Sequence, residues 1–463
     1  MDAVPHSTVP AGSTEQWRDP KRYLWLIGLV VPSLFLVAWA GWALTGVGAW
    51  WWIGPVVILV IVPAIDLVTG LDRSNPPDDV IEALEADRYY RWITYAFLPV
   101  QYVGFVASMW LIARADLSTL DRVGLALTIG CIGGIGINTA HELGHKKESH
   151  ERWLSKIALA QSFYGHFYSE HNRGHHVRVA TPEDPASSRM GESLYAFWPR
   201  TVIGSLKSAW RIEKRRYARR GQHPFRPGND VLNAWLMSLV LWAAMLVWLG
   251  PAIAPYLLLQ AVVGFSLLEV VNYLEHYGML RGKVGVGERE RYERVDPRHS
   301  WNSNNIATNV LLYHLQRHSD HHAHPTRRYQ TLRDFEESPT LPTGYAGMIL
   351  LALVPPLWRR VMDPRVLAHV DGDLSRVNLQ GRRPVVGEVV QRPSRNHASD
   401  EPLAACCPGC GYTYDVVTGD EHEGFAAGTP WSAVPDTWCC PDCGVRDKRD
   451  FVPLPADATR ATA

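Results

Sequence analysis

Three histidine clusters and one cysteine quartet carry the chemistry this chain could do. The segment Gln316 to His324 reads Q-R-H-S-D-H-H-A-H, so His318, His321 and His322 fall at i, i+3 and i+4. On a helix that spacing puts three imidazoles on one face, one turn apart. His141 and His145 in H-E-L-G-H repeat the i, i+4 step, and His171, His175 and His176 in E-H-N-R-G-H-H stand at i, i+4 and i+5. A ninth candidate, His276, lies in N-Y-L-E-H-Y-G. Imidazole is a common ligand for iron, copper, nickel and zinc. One helical His pair is ordinarily just surface; three clusters in one chain point to bound metal. Near the C-terminal end, Cys407 and Cys410 in C-P-G-C-G and Cys440 and Cys443 in C-P-D-C-G form two C-x2-C pairs. Two such hairpins present four thiolates tetrahedrally, which suits zinc or a single iron.

The scaffold that must hold these residues reads as a membrane bundle. The 463 residues suffice for more than one domain. The 46 Lys/Arg and 46 Asp/Glu balance, so nothing suggests a nucleic-acid partner. The chain holds 19 Trp, and its apolar residues gather in runs near bilayer length, which takes about 20 residues. Six such runs lie at 23–45, 48–70, 91–114, 119–141, 231–249 and 251–276. The N-terminal stretch is polar and the first run is full length, so it reads as a spanning helix rather than a cleavable signal. Trp50, Trp51 and Trp52 suit a membrane interface.

The expected fold is therefore an all-α integral membrane bundle of six transmembrane helices with a His-rich metal cap. Lys146 to Asp230 holds 16 Lys/Arg against 8 Asp/Glu, a formal +8, whereas the loops on the opposite side are short and carry no Lys or Arg. The positive-inside rule makes the basic side cytoplasmic, with both termini and all nine histidines on it. The Gly-rich G-C-I-G-G-I-G of the fourth run permits close helix approach. Within the apolar runs, Asp66 reads as an interface cap. Glu269, buried in the sixth run and seven residues before His276, reads equally as a functional carboxylate and as an interhelix hydrogen-bond partner.

The expected domains are a membrane unit at 1–370, a flexible linker at 371–404 where Pro, Arg, Ser and Asp replace helical periodicity, a small cysteine domain at 405–455, and a tail at 456–463. The segment 405–455 carries 8 Asp/Glu against 3 Lys/Arg, a formal −5 opposite in sign to the basic face. Opposite fields steer docking, so this domain is expected to seat on the cytoplasmic face. Cysteines on that side are not expected to form disulfides. Cys406 and Cys439 each adjoin a candidate ligand, which leaves a register error of one as the risk to the quartet.

Two resemblances sharpen this reading. G-Y-T-Y-D after the first cysteine pair and G-T-P-W-S-A-V-P-D-T-W before the second make 405–455 similar to rubredoxin, an electron carrier with one iron on four cysteines. H-E-L-G-H-K-K, E-H-N-R-G-H-H, N-Y-L-E-H-Y-G, H-S-W-N-S-N and L-Q-R-H-S-D-H-H-A together resemble the membrane alkane 1-monooxygenase family, from the first span to about residue 365. That resemblance implies two non-haem irons held by His141, His145, His171, His175, His176, His276, His318, His321 and His322. It further implies O2 as co-substrate, an alkane oxidised at its terminal carbon, and electrons from a rubredoxin fed by a separate flavin reductase using NAD(P)H. No Gly-rich dinucleotide fingerprint in the chain supplies that reductase. The site is expected in the bacterial cytoplasmic (inner) membrane; oligomeric state and alkane length are not legible.

Hydroxylating an unactivated C–H bond needs a strong oxidant, which a redox metal with open positions makes from oxygen and electrons. Ligating histidines usually give their other N–H to a carboxylate or carbonyl. Glu142, Glu170, Glu275 and Asp320, each adjacent in sequence to a candidate ligand, are the acids expected in that role, with Asp184 a weaker candidate. Two other classes fit the histidines alone. A membrane fatty-acyl desaturase or hydroxylase would share the metal core, but the fused rubredoxin argues against it. A zinc-binding or transport protein would need polar groups through the membrane midplane, and the spans carry few beyond Glu269.

Overall fold

The computed structural model describes residues 17–285, 290–381 and 401–454. The N-terminal stretch before Trp17, most of the expected linker (382–400) and the final tail lie outside the described residues. Among the described residues, six helices are long and apolar enough to cross a bilayer: Leu24–Thr45, Gly48–Thr69, Arg88–Arg114, Thr119–Gly144, Asp230–Leu249 and Pro251–His276. Their ends follow local chemistry. Gly46, at φ 68°, closes the first span in the left-handed region. The Asp87 side chain caps the third, a Ser118–Asp121 capping box opens the fourth, and Asn229 caps the fifth. The fourth span runs past its expected end to Gly144, which carries His141 into its last turn.

The fourth span is the centre of the bundle. Its most apolar stretch is 89 % buried, against 22 % for the second and fifth spans. Its glycines allow this. A Cβ on Gly130 would stand 2.9 Å from the Gln260 carbonyl, and one on Gly134 would stand 3.0 Å from the Gly264 carbonyl. Close backbone approach of this kind drives helix packing where lipid removes the hydrophobic advantage. Gln161, at the end of the helix Ser149–Ala160, ties the third and sixth spans together by hydrogen bonds with Gln101 at 2.8 Å and Gln260 at 3.2 Å.

Both acids have hydrogen-bond partners from other parts of the chain. Asp66 accepts from the backbone N–H of Thr308 at 2.9 Å and from its hydroxyl, and so caps the short helix Ile306–Leu311. Glu269 accepts from Tyr164 at 2.6 Å, Thr201 at 2.7 Å and Asn272 at 3.2 Å. Of its two readings, the interhelix one matches these contacts.

The cap is built on one side of the bundle. It comprises the helix Ser149–Ala160, the helical segment 167–178, the long helix Leu194–Ala218, a two-stranded ribbon (Lys283–Val284 with Arg291–Tyr292) and the helices His318–Ala323, Tyr345–Ala352 and Pro355–His369. The expected linker start at Asp371 needs correction. Val377 is buried, and Asn378 exchanges backbone bonds with Gly278 (3.0 Å) and Met190 (2.8 Å), so this stretch belongs to the membrane unit through Gln380. An apolar side chain and free peptide groups found partners that composition alone did not reveal.

The C-terminal unit is a three-stranded antiparallel sheet in which Ala404–Cys406 lies between Thr413–Asp415 and Val452–Pro453. Tyr414, Phe425, Trp438 and Phe451 form its small core beside the cysteines. A core of this size ordinarily needs a metal or disulfides as a staple.

Candidate metal centre

The cap brings all nine histidines together, and it sorts them. His141, His145, His171, His176 and His321 form one group and His175, His276, His318 and His322 another, with the ligand atoms of each group within 4.8 Å of one another. All nine are buried.

Local backbone geometry explains the sorting. In the fourth span, His141 and His145 are one α-helical turn apart and enter the same group. His318 and His322 likewise share a group, their Nε2 atoms 2.8 Å apart, and His321 on the adjoining face goes to the other. The second cluster differs. His171 to His175 form a single π-helical turn, in which residues five apart align. His171 and His176 therefore meet, Nε2 to Nε2 at 3.0 Å, and His175 is turned into the second group. The motif's i, i+4, i+5 spacing thus serves both histidine groups from one helix. The H-S-W-N-S-N segment holds the third cluster in place. Asn302 Oδ1 accepts from the Ser319 N–H at 2.8 Å, and Asn302 Nδ2 donates to the Ser319 hydroxyl at 2.7 Å.

The nitrogens fit metal ions better than each other. Among the described residues, Nε2 of His141, His145 and His175 has no hydrogen-bond partner. Close Nε2–Nε2 approaches recur at 3.2 Å between His321 and His176 and at 3.3 Å between His318 and His276. Burial, reinforced by neighbouring imidazoles, holds His171, His176, His318, His321 and His322 well below the usual histidine range, so they are neutral at pH 7. Neutral imidazoles converging with unpaired nitrogens are what a metal site requires.

The expected acids are placed differently. Asp184 accepts from His175 Nδ1 at 2.9 Å and from the Ser187 hydroxyl at 2.6 Å, and so fixes the ring's outer nitrogen. Burial opposes its charge, but His175 and Ser187 win and hold its carboxyl below the usual range. Three of the four sequence-adjacent acids need correction. Glu142 pairs with Lys146 at 2.9 Å, Glu170 with Arg178 at 2.9 Å, and Asp320 with Arg327 at 2.9 Å and His324 at 2.7 Å. Glu275 does reach a ligand candidate, with its Oε2 3.1 Å from His318 Nε2, but that is the inward nitrogen. The reason is helical. A residue next to a ligand points about 100° away from it, toward other partners. Asp184 comes from a loop, so adjacency did not single it out.

An apolar cavity of about 70 Å³ ends at these histidines. Ile58 and Val62 of the second span, Ile135 of the fourth, Leu267 and Val271 of the sixth, and Leu311, Leu312 and Ile349 of the cap line it. His141, His171 and His318, drawn from both groups, stand at its wall. Asn138 also lines it, but its amide is spent on the Leu312 carbonyl at 2.7 Å. Asn272, Glu275, Thr308 and Tyr345 line it too, but its exposed lining is overwhelmingly apolar, which suits an apolar substrate.

The cysteine quartet falls in the expected register. Sγ atoms of Cys407, Cys410, Cys440 and Cys443 lie within 4.8 Å of one another, whereas Cys406 and Cys439 stand outside the group. Two matching backbone turns carry them: Gly411 N–H donates to the Cys407 carbonyl at 2.9 Å and Gly444 N–H to the Cys440 carbonyl at 2.8 Å.

This unit sits against the metal cap. Arg152 pairs with Asp442 at 2.8 Å, Arg291 with Asp447 at 2.8 Å, and Arg294 with Asp450 at 2.5 Å. Arg173 and Arg219 both approach Glu423 at 3.6 Å. The basic segment 146–230 supplies three of these cations, as opposite charge suggested. Arg291 and Arg294, on and just after the ribbon strand beyond the sixth span, were not singled out by the charge count. At the centre of the contact, a Cβ on Gly444 would stand 3.0 Å from the Asn172 carbonyl and 3.2 Å from the His176 Cβ.

Comparison with known proteins agrees with this architecture. Residues 120–352 match the family model for fatty acid desaturase, and residues 404–451 that for rubredoxin. The chain is similar to alkane 1-monooxygenase 1 of Alcanivorax borkumensis, 45 % identical over 373 residues, which covers 79 % of this chain and 90 % of the relative. It is 46 % identical over 373 residues to alkane 1-monooxygenase of Acinetobacter baylyi, with the same coverage of 79 % and 90 %. It is 42 % identical over 394 residues to that of Pseudomonas putida, covering 85 % of this chain and 96 % of the relative.

Proposed function

The chain belongs to the alkane 1-monooxygenase family, and from that premise we propose that it hydroxylates the terminal carbon of alkanes at a His-ligated diiron centre, with electrons passed through its own rubredoxin unit. The observation that carries this reading is the apolar cavity ending at His141, His171 and His318. It joins a lipid-compatible path to histidines of both groups. Terminal C–H bonds are stronger than internal ones, so the walls must choose the carbon. A narrow cavity admits a chain end first and holds its methyl nearest the histidines.

The nine histidines would hold two irons, five on one and four on the other, and the four cysteines a third. Bound there, the irons would supply oxygen activation: with two electrons and two protons, one oxygen atom of O2 would enter the substrate C–H bond and the other would leave as water. The protein's own part is positional. Asp184 orients His175, and the bundle keeps the cavity dry. The Asn138 amide is turned to backbone. The four-cysteine unit lies against His176 through Gly444, which gives electrons a short path into the five-histidine group. A single thiolate-bound iron carries one electron, so each turnover needs two deliveries. A separate flavin reductase using NAD(P)H would refill it. By the positive-inside rule the His-bearing ends face the cytoplasm of a bacterial inner membrane.

Metal analysis and product analysis test the reading together. Fully loaded protein should hold near three irons per chain, one for each ligand group, and oxidise octane to 1-octanol. Mainly 2- and 3-octanol would refute end-on binding, and stoichiometric zinc at the histidines of an active preparation would refute the diiron centre.

A further inference from the structure

The π-helical turn His171–His175 presents two faces. Inward, it sends His171, with the adjoining His176, to the five-histidine group and His175 to the four-histidine group. Outward, the same stretch meets the four-cysteine unit. Gly444 packs on the Asn172 carbonyl and the His176 Cβ. The Arg173 side chain, 13 % exposed, is shared between the two units. From the membrane unit it meets Asp230 at 3.2 Å and Glu213 at 3.6 Å. From the four-cysteine unit it meets Glu423 at 3.6 Å, and it donates to His422 Nδ1 at 3.1 Å. The membrane unit's two acids are already engaged by closer cations, Asp230 by Lys156 at 2.7 Å and Glu213 by Arg216 at 2.6 Å. A buried guanidinium needs a counter-charge. Lys156, Arg173 and Arg216 find as many carboxylates as cations only when Glu423 is seated beside them. Arg219, which also approaches Glu423, is itself partly exposed to solvent.

The register of this turn decides which histidines meet. A π-turn aligns residues five apart, an α-turn residues four apart. Relaxed to α-helix, the turn would align His171 with His175 instead of His176, and so move a nitrogen donor from one histidine group to the other. We propose that Arg173 is a positioning residue for the metal centre: Glu423 of the seated four-cysteine unit anchors it, and that anchor keeps the π-register which sorts His171, His175 and His176. The inference rests on the two-iron reading given above. Its consequence is that the ligand set is fully formed only with the electron donor in place, so that oxygen meets an assembled centre where electrons can follow.

The test uses the whole chain in lipid nanodiscs, loaded with Mössbauer-active iron and reduced by dithionite without oxygen. It reads the doublets of the histidine-bound irons beside that of the four-cysteine iron, and the rate of iron loss to a chelator. A parent spectrum with no iron at the histidines would sink the underlying reading, whatever the variants do. Glu423→Gln keeps an acceptor for the Trp438 indole N–H, which Glu423 bonds at 3.3 Å, and removes only the charge. It should change the quadrupole splitting of the histidine-bound irons and speed their loss about tenfold, with the four-cysteine doublet unchanged. Arg173→Gln should do the same from the other side of the contact. The double variant should lose iron no faster than Arg173→Gln alone, since both changes break one anchor. The control is Asp442→Asn. It removes the 2.8 Å pair with Arg152, which comes from the helix Ser149–Ala160 rather than from the turn, and should leave splitting and iron loss at parent values. A parent-like spectrum in Glu423→Gln would overturn the inference, as would multiplied rates of iron loss in the double variant. An effect of Asp442→Asn as large as that of Glu423→Gln would make seating in general, and not Arg173, the cause, and would overturn it too.

Discussion

The Gly444 backbone packs against the Cβ of His176 and the backbone carbonyl of Asn172. A single carbon added to the glycine would stand 3.2 Å from the histidine's Cβ. This contact joins the four-cysteine unit to a histidine of the five-membered group with no side chain between them. Gly444→Ala should therefore weaken seating and slow onward electron transfer. Part of the effect is strain, since Gly444 sits at φ 66° and a Cβ there costs about 1–2 kcal/mol. Gly411→Ala is the control. It has the same strain, at φ 76°, with open space around it. Single-turnover reoxidation of the pre-reduced unit should slow in the first variant and not in the second. Equal slowing in both would leave the contact without a role.

The ion pairs around that contact predict a salt effect. Asp450 is almost wholly buried and is held by Arg294 and Arg291 from the membrane unit, although the two arginines remain about a third exposed. With that exposure the pairs are worth roughly 1 kcal/mol each rather than the larger value of a dry pair. Asp450→Asn should slow reductase-driven turnover several-fold at physiological ionic strength and lower its salt sensitivity, because two screened ion pairs are lost. Turnover indifferent to salt across the range that screens surface charge would rule out electrostatic seating, even with electron transfer intact.

Asp184 gives a prediction that sequence adjacency would have assigned elsewhere. Its bond to His175 Nδ1 fixes which nitrogen faces inward. Removing such a partner typically weakens metal binding ~10–100-fold. Asp184→Asn should lose iron from the histidine site during dialysis against a chelator, with the rubredoxin absorbance unchanged. Glu170→Gln should retain it, because Glu170 serves Arg178 instead. The opposite order of iron loss would restore the adjacent acids to the role expected of them.

The same contrast marks what sequence could and could not reveal. The spans were legible because bilayer thickness dictates their length, and their limits agree with the helices to within a few residues. The nine histidines were legible because ligand spacing on a helix is local. Their division was not, because it turns on a π-helical turn at His171–His175 that no residue type announces. Partners contributed by loops, such as Asp184 to His175 or Asn302 to Ser319, depend on the tertiary path alone. The docking face was half legible. Net charge pointed to the segment containing Arg152 and Arg173, but Arg291 and Arg294 lie in a short region whose contribution the overall charge count hid.

Removing a histidine separates the two metal sites. His318 belongs to the four-membered group, lies at the cavity wall and touches Glu275. His318→Ala should abolish hydroxylation and lower the iron content of the membrane unit, while the four-cysteine centre keeps its absorbance and is still bleached by reductase. Loss of both spectra would instead indicate a folding defect, which circular dichroism and thermal unfolding would register.

The cavity makes the last prediction. Ile58 and Val62 reach it from the second span, which is otherwise among the least buried of the six. Val62 is itself buried at 4 % exposure, so a larger side chain there has to occupy the cavity or displace its walls. Val62→Phe should therefore shorten the longest alkane accepted, since a ring projecting across a narrow apolar path blocks the distal part of a chain whose methyl end is fixed at the histidines. Octane oxidation should survive better than hexadecane oxidation, and both should still give the 1-alkanol. Overpacking in a tight interior costs about 1–3 kcal/mol, so the variant's thermal stability is measured alongside. Competition between the two alkanes in one reaction cancels any difference in active fraction and leaves only the ratio of their kcat/KM values. An unchanged ratio would mean that the second span does not bound the substrate path, and a shift toward internal alcohols would mean that it guides the methyl as well as limiting the chain.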